Sequence, residues 1–331
     1  MKNHSEKTQL MQEISLIIAT YNRGSAIATT LQSVLEQTRS VDEIIVVDDG
    51  STDNTVAFIR QEYPQVIVLK KENGGTSSAR NHGARHATYP WLVFLDHDDV
   101  IHSHAIEKLA QLSKQYPEAA SLHADHVYDS SPDGPVHPNH HYTSRPFERL
   151  FQVKSTSTEP GTRLYNKSLY TTLLRGNLLQ QPFAVRRDAF WDINGYQEDV
   201  RYCEDWDLYL RLSYQYPVAL TDEVISTHVI EGGNLHLTAA EKQEVMYERV
   251  LTRRREQHSW LAFRRNHIIR KKLASIYKSR GDRHRQQGEL AEGIRSYLLS
   301  ALNHPSDYVV LVRILIWSLF LAGSTLKLGS R

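Results

Sequence analysis

Short apolar runs alternate with helical spacings over the first hundred residues. Residues 14–20 (ISLIIAT) are almost wholly apolar, the pattern of a strand covered on both faces. Ile27, Leu31, Val34 and Leu35 follow at helical spacing. Residues 43–50 (EIIVVDDG) predict a second strand, 66–69 (VIVL) a third and 91–96 (WLVFLD) a fourth. A helix with Val56, Ala57 and Ile59 to bury lies between the second and third and stops before Pro64. Another is predicted over 76–87, entered through Gly74 and Gly75. Strands alternating with helices predict an α/β fold with a parallel sheet. The first strand runs into TYNR, the second into DDGSTD and the fourth into DHDD. In a parallel sheet these three polar clusters share one edge, where ligands bind.

Beyond Asp99 the pattern loosens. It predicts a helix over 103–116, a strand over 121–128 and a Pro/Gly/His-rich loop over 129–141. PFAVRRDAF reads as a strand turning into a helix, and a further helix opens around Asp205. From about Glu241 the chain reads as helical, and residues 281–305 resemble a single helical hairpin of the tetratricopeptide sort. Residues 308–328 are the most apolar stretch, of membrane-spanning length but with Arg313 inside. A helix packed on the protein, one lying in a membrane interface and one that spans all fit that pattern. The expected organisation is a polar tail (1–12), an α/β domain (13–235) and a helical region (236–331).

Composition changes this picture little. The chain has 331 residues, 40% hydrophobic and 23% charged, near the soluble globular average. Its net charge of +1 selects no partner. The single cysteine, Cys203, allows no intrachain disulfide and fits a reducing compartment. The N-terminus has no apolar core of the kind a secretory signal needs. Charge is uneven, however: residues 251–290 hold twelve Lys/Arg against three Asp/Glu. That fits a solvated helix face, or a surface for anionic lipid or a phosphate-bearing acceptor.

The chemistry gathers at the polar edge. Asp96 and Asp98 close an apolar strand, where crowded carboxylates repel unless a positive charge joins them. A hard divalent ion that also takes phosphate oxygens suits such a pair, while Asp99 also suits a helix cap. Asp48 or Asp49 can accept from a base N–H or ribose hydroxyl, and Asp53 suits a helix cap. The backbone amides at Gly74 and Gly75 suit a phosphate, and Arg80 suits either that phosphate or an aspartate. Glu204 and Asp205 open a helix whose dipole favours their charged form, and either could be a general base. Neither GxGxxG nor GxxxxGK[ST] follows an early strand.

Taken in order, IIATYNR, IIVVDDGSTDNT, NGGTSSARNHG, FLDHDD and GYQEDVRYCEDWDLYLRL resemble the inverting glycosyltransferases of family 2, which have the GT-A fold. The resemblance covers roughly residues 13–230. It implies transfer of a sugar from a nucleotide diphosphate sugar to an acceptor hydroxyl on a cell-surface polysaccharide or lipid-linked glycan. It implies that Thr20, Tyr21, Asn22, Arg23, Asp49 and Ser51 line the nucleotide-sugar pocket, with Arg80 and Asp96 near the diphosphate. Asp96 and Asp98 match a DxD motif for Mg or Mn, and His228 is a further candidate ligand. Asp205 would be the base and Glu204 the fallback. No nucleic-acid partner is implied. The expected location is the cytoplasm, with peripheral contact to the inner face of the membrane through the basic and apolar C-terminal helices. A non-catalytic sugar-nucleotide or glycan binding protein, and a metal-dependent nucleotidyltransferase, are the rival readings. The intact acidic clusters weigh against the first, and the lack of a glycine-rich signature after the first strand against the second.

Overall fold

The computed structural model describes residues 13–129, 155–166, 168–229, 240–257, 263–305, 307, 310, 313 and 314. The tail at 1–12, almost all of the loop read over 129–141 and most of the apolar stretch at 308–328 lie outside the described residues. The chain divides into two compact units, Met1–Ala239 and Ala240–Arg331.

In the first unit β1 (Ile14–Thr20), β2 (Glu43–Asp48), β3 (Ile67–Lys70) and β4 (Trp91–Asp96) are parallel neighbours. Every residue of β1 is buried, as its unbroken apolar run requires. The helices α1 (Ala28–Leu35), α2 (Thr55–Glu62) and α3 (Thr76–His86) supply the connections. Leu31 and Val34 of α1 and Ile59 of α2 join Leu16, Ile18 and Val46 in one core cluster. α3 packs so closely on the sheet that a Cβ at Gly83 would come within 2.6 Å of Ile17 Cγ2 and 3.0 Å of Val47 Cγ2. Glycine is therefore required there.

Past β4 the sheet becomes mixed. Its further elements are β5 (Asp99–Ile101), α4 (Ala105–Gln115), β6 (Ser121–Asp129), β7 (Thr162–Tyr165), α5 (Ser168–Leu173), β8 (Phe183–Arg186), α6 (Arg187–Asp192), α7 (Glu204–Gln215) and β9 (Val218–Val229). The strand order is β3-β2-β1-β4-β8-β6-β9-β5, with β7 paired to β9. β8 runs antiparallel to β4, with Phe94 opposite Phe183. β5, β7 and β9 are not evident in the apolar pattern. β5 has three residues, and β9 is interrupted by exposed Asp222 and Glu223. Asp99 opens β5 and sits opposite His228 of β9, so it is not a helix cap.

In the second unit α8 (Ala240–Gln257), α9 (Phe263–Gln286) and α10 (Leu290–Asn303) pack together. α9 and α10 form a hairpin that turns at Gly288, where φ is 78°. Several cations of the basic run are neutralised within the unit: Arg280 pairs with Glu248 at 2.8 Å and Arg283 pairs with Glu244. Among the described residues no helix is long and apolar enough to cross a membrane.

Candidate active site

The register of the parallel strands assembles the polar edge. Thr20 lies opposite Asp48 and Ala19 opposite Asp96, so the carboxyl ends of β2, β1 and β4 stand side by side. Hydrogen bonds tie their tips together. Asn22 N donates to Ser51 Oγ at 2.9 Å, Thr52 N donates to Asn22 Oδ1 at 2.9 Å, and Arg23 N donates to Thr55 Oγ1 at 3.0 Å. Tyr21 is left 46% exposed above this edge. Thr20 Oγ1 and Asp48 Oδ1 are buried there without a hydrogen-bond partner. Asp53 accepts from Thr55 N at 3.0 Å, the first residue of α2.

Asp49 faces a different way from the expectation. It accepts from Gly74 N at 3.0 Å, Gly75 N at 2.7 Å and Lys71 Nζ at 2.7 Å. The amides read as a phosphate cradle at the start of α3 are thus occupied by a carboxylate of the chain itself. Helix-start amides attract an anion, and Asp49 is the nearest one. Lys71 was not singled out from the sequence, having no motif around it.

Arg80 is the centre of the constellation. It is 2% exposed on α3, and its guanidinium spans Asp96 Oδ1 at 2.5 Å and Asp205 Oδ1 at 3.0 Å. Glu204 Oε1 is 3.7 Å away. The positive charge that crowded aspartates demand is therefore supplied in part by arginine. Arg23 does the same for Asp98, at 2.8 Å. Burial opposes the charge on Asp96, but Arg80 beside it keeps its carboxyl below the usual range.

α7 delivers the acidic pair. It is anchored by Trp206, whose Nε1 donates to Leu173 O at 2.7 Å. Arg211 donates to the carbonyls of Ile193 and Gly195, at 2.7 and 2.5 Å. That fastens α7 to the turn that carries Tyr196. Asp205 Oδ1 accepts three donors: Arg80 Nη1 at 3.0 Å, Gln181 Nε2 at 3.0 Å and Tyr196 OH at 3.1 Å. Among the described residues Oδ2 takes no hydrogen bond, and it is not sealed from solvent. Glu204 is the reverse case, because its Oε2 is buried without a partner. Burial raises the pKa of both carboxyls, against the helix dipole that was expected to lower it. For Glu204, burial and the neighbouring Asp205 push it from 4.5 up to about 7.

A stability prediction follows from that shift. A carboxyl whose folded pKa lies above its unfolded value contributes stability at low pH. That contribution is lost as pH rises from 4.5 towards 7. Glu204→Gln removes the loss. At pH 8 it is expected to be more stable than the parent by roughly 2–3 kcal/mol. The gap should narrow steadily as pH falls to 4.5, as read by urea unfolding. A gap that stayed constant across that range would count against the shift.

His228 was expected as a metal ligand. Its Nδ1 lies 2.7 Å from Asp99 Oδ2, and its Nε2 is buried without a partner. Burial opposes its protonation, yet Asp99 raises its pKa. The pairing with Asp99 orients the ring, which stands beside the Asp96–Asp98 cluster. Gln181 and Tyr196 were missed by sequence reasoning. Tyr196 stands inside GYQED, but nothing in the spacing marked its hydroxyl. Gln181 carries no motif at all.

Asp96 and Asp98 are chemically fit to hold a hard divalent ion. Among the described residues Asp96 Oδ2 and Asp98 Oδ1 each lack a hydrogen-bond partner. Among the described residues no group of three or more ligating side chains is arranged around a metal. Mg²⁺ is commonly held by one or two carboxylates, with waters and substrate phosphates completing its shell.

Comparison with known proteins agrees with this architecture. The pattern of Glycosyl transferase family 2 matches residues 15–192, more than half of the chain. The chain belongs to that family. An uncharacterised glycosyltransferase of Haemophilus influenzae is 29% identical over 200 residues, 60% of this chain and 61% of that one. The poly(ribitol-phosphate) β-N-acetylglucosaminyltransferase TarP of Staphylococcus aureus is 36% identical over 111 residues, 32% of this chain and 34% of that one. The chain thus spans less than two thirds of the length of these curated relatives. A solved structure of S. aureus TarS in complex with UDP-GlcNAc superposes with a TM-score of 0.60 at 16% identity. The match covers 88% of this chain and 81% of that one, and it shows the shared fold.

Proposed function

We propose that the protein is an inverting glycosyltransferase that moves a sugar from a nucleotide diphosphate sugar to an acceptor hydroxyl. UDP-GlcNAc is the first donor to test, and the acceptor is a glycan or lipid-linked glycan of a cell-surface polymer. The observation that carries the reading is the placement of one open carboxylate oxygen, Asp205 Oδ2, with the Asp96–Asp98 pair reached from Asp205 through Arg80. TarP is named an N-acetylglucosaminyltransferase and TarS was solved with UDP-GlcNAc, and both support the choice of probe.

On this reading Asp205 Oδ2 takes the proton of the acceptor hydroxyl as its oxygen bonds to the anomeric carbon. The bond from that carbon to the diphosphate oxygen breaks, and its electrons leave with the diphosphate. A single displacement from the opposite face inverts the configuration, with no covalent sugar intermediate. Asp96 and Asp98 would hold a divalent cation, which when bound neutralises charge on the leaving diphosphate. Arg80 and Arg23 hold the carboxylates in place, and Lys71 with Gly74 and Gly75 fixes Asp49 in the loop below the nucleoside side.

The test is a thermal-shift panel of nucleotide sugars with Mg or Mn, followed by nucleotide release. UDP-GlcNAc with metal is expected to raise the melting temperature and to release UDP, and EDTA to stop the release. Release that continues unchanged in EDTA would remove the metal from the reading. A panel in which no nucleotide sugar binds would favour the non-catalytic glycan-binding alternative.

A further inference from the structure

A carboxylate serves as a base through whichever oxygen is free, so something must decide which oxygen that is. Three donors converge on Asp205 Oδ1, and they differ in kind. Arg80 is shared with Asp96 and Glu204. Tyr196 is shared between Asp205 and the face of Arg80, whose Cζ lies 5.1 Å from the ring centroid. Gln181 has no such second duty: its Nε2 donates to Asp205 Oδ1 at 3.0 Å.

The placement of Gln181 is rigid. Phe94 faces Phe183 across the antiparallel pair of β4 and β8, and their rings stack at 5.5 Å. Gln181 lies two residues before Phe183, just outside the paired register. Pro182 has no N–H to extend the ladder, so the strand stops and Gln181 is free to turn its side chain to α7. The residue is 2% exposed, and its Oε1 is buried without a partner. A buried, half-satisfied amide is unfavourable for stability, and an apolar side chain of similar length would avoid that cost. Packing alone therefore does not account for a glutamine at this position, whereas the bond to Asp205 does.

We propose that Gln181 is a positioning residue. It pins Oδ1 of Asp205 and so leaves Oδ2 as the oxygen that meets the acceptor hydroxyl. The proposal rests on the reading of Asp205 as the base.

Two variants test it. Gln181→Met keeps the length and removes the donor. Gln181→Glu keeps the shape and turns an acceptor on Oδ1. Crystal structures of both are expected to show the Asp205 carboxylate rotated, with Oδ1 out of reach of Tyr196 OH or Arg80. UDP release from UDP-GlcNAc, with water as acceptor, is expected to fall about 10- to 100-fold in kcat, as misplacement of a catalytic group predicts. Donor affinity by calorimetry should stay within about twofold, since the donor is not what Gln181 holds. An Asp205 that keeps its place in both structures overturns the proposal, and so does an unchanged kcat. A donor affinity that falls in step with kcat overturns it too, by placing Gln181 against the donor. If Gln181→Met does not fold, Gln181→Glu and Tyr196→Phe carry the same comparison on the same oxygen. If the parent releases no UDP from UDP-GlcNAc, the donor reading falls, while the crystal structures still decide whether Gln181 positions Asp205.

Discussion

Arg80→Met is expected to cost about 3–5 kcal/mol of stability at neutral pH, the range for breaking a buried ion pair from one side. The guanidinium is nearly sealed from solvent and faces Asp96, Asp205 and Glu204. Removing it leaves three partly buried carboxylates close together without the cation that pairs them. The lost interaction is electrostatic, so the sign of its pH dependence is fixed. The orphaned carboxyls take up protons more readily than in the parent, and the deficit should shrink as pH falls towards 5. Arg80→Lys should recover part of the loss, because an ammonium cannot fork between Asp96 and Asp205 as a guanidinium does. Urea unfolding at pH 7 and pH 5 reads all three outcomes. A loss below about 1 kcal/mol at pH 7 would mean that the three carboxylates do not depend on Arg80.

The sequence and the structure agree best where residues close in sequence carry the signal. The four parallel strands are short, mostly apolar runs, so the sequence alone places their polar tips on one edge. The order of β8, β6, β9 and β5 was not legible. Partners drawn from distant segments, antiparallel at β4–β8, β8–β6 and β9–β5 and parallel at β6–β9, leave no local period, and β9 carries charge in its middle. The site divides in the same way. Asp96, Asp98, Glu204 and Asp205 lie at strand or helix ends, where carboxylates are conspicuous. What each one faces depends on three-dimensional proximity. Asp49 was read towards a nucleoside, yet it is turned into its own glycine loop. Arg80 was left between phosphate and aspartate, and in the structure it takes the aspartates. Gln181 contributes through an amide that meets Asp205 across 24 residues of chain, and such a contact is a property of two segments rather than one. Charge pairing inside the second unit was hidden for the same reason. The basic run of α9 finds acidic partners on α8, a helix that lies before it in the chain.

Asp205→Asn separates the two carboxyls of the acidic pair. An asparagine keeps one oxygen for Arg80, Gln181 and Tyr196, so the cradle around Oδ1 can persist. The atom that replaces Oδ2 is then an amide nitrogen, which cannot accept a proton. On the proposed reading of Asp205 as the base, turnover of the nucleotide sugar is expected to fall by roughly 10²- to 10⁴-fold, the usual contribution of a general base. Donor affinity should hold, because Asp96, Asp98 and Arg23 are untouched. Glu204→Gln supplies the contrast. Its Oε2 is sealed from the cleft, so replacing it removes charge from beside Asp205 but no proton acceptor from the acceptor side. It should keep far more turnover than Asp205→Asn. If the order were reversed, with Glu204→Gln inactive and Asp205→Asn within several-fold of the parent, the proton would have to leave through Glu204. The helix start would then have to open to expose that sealed oxygen.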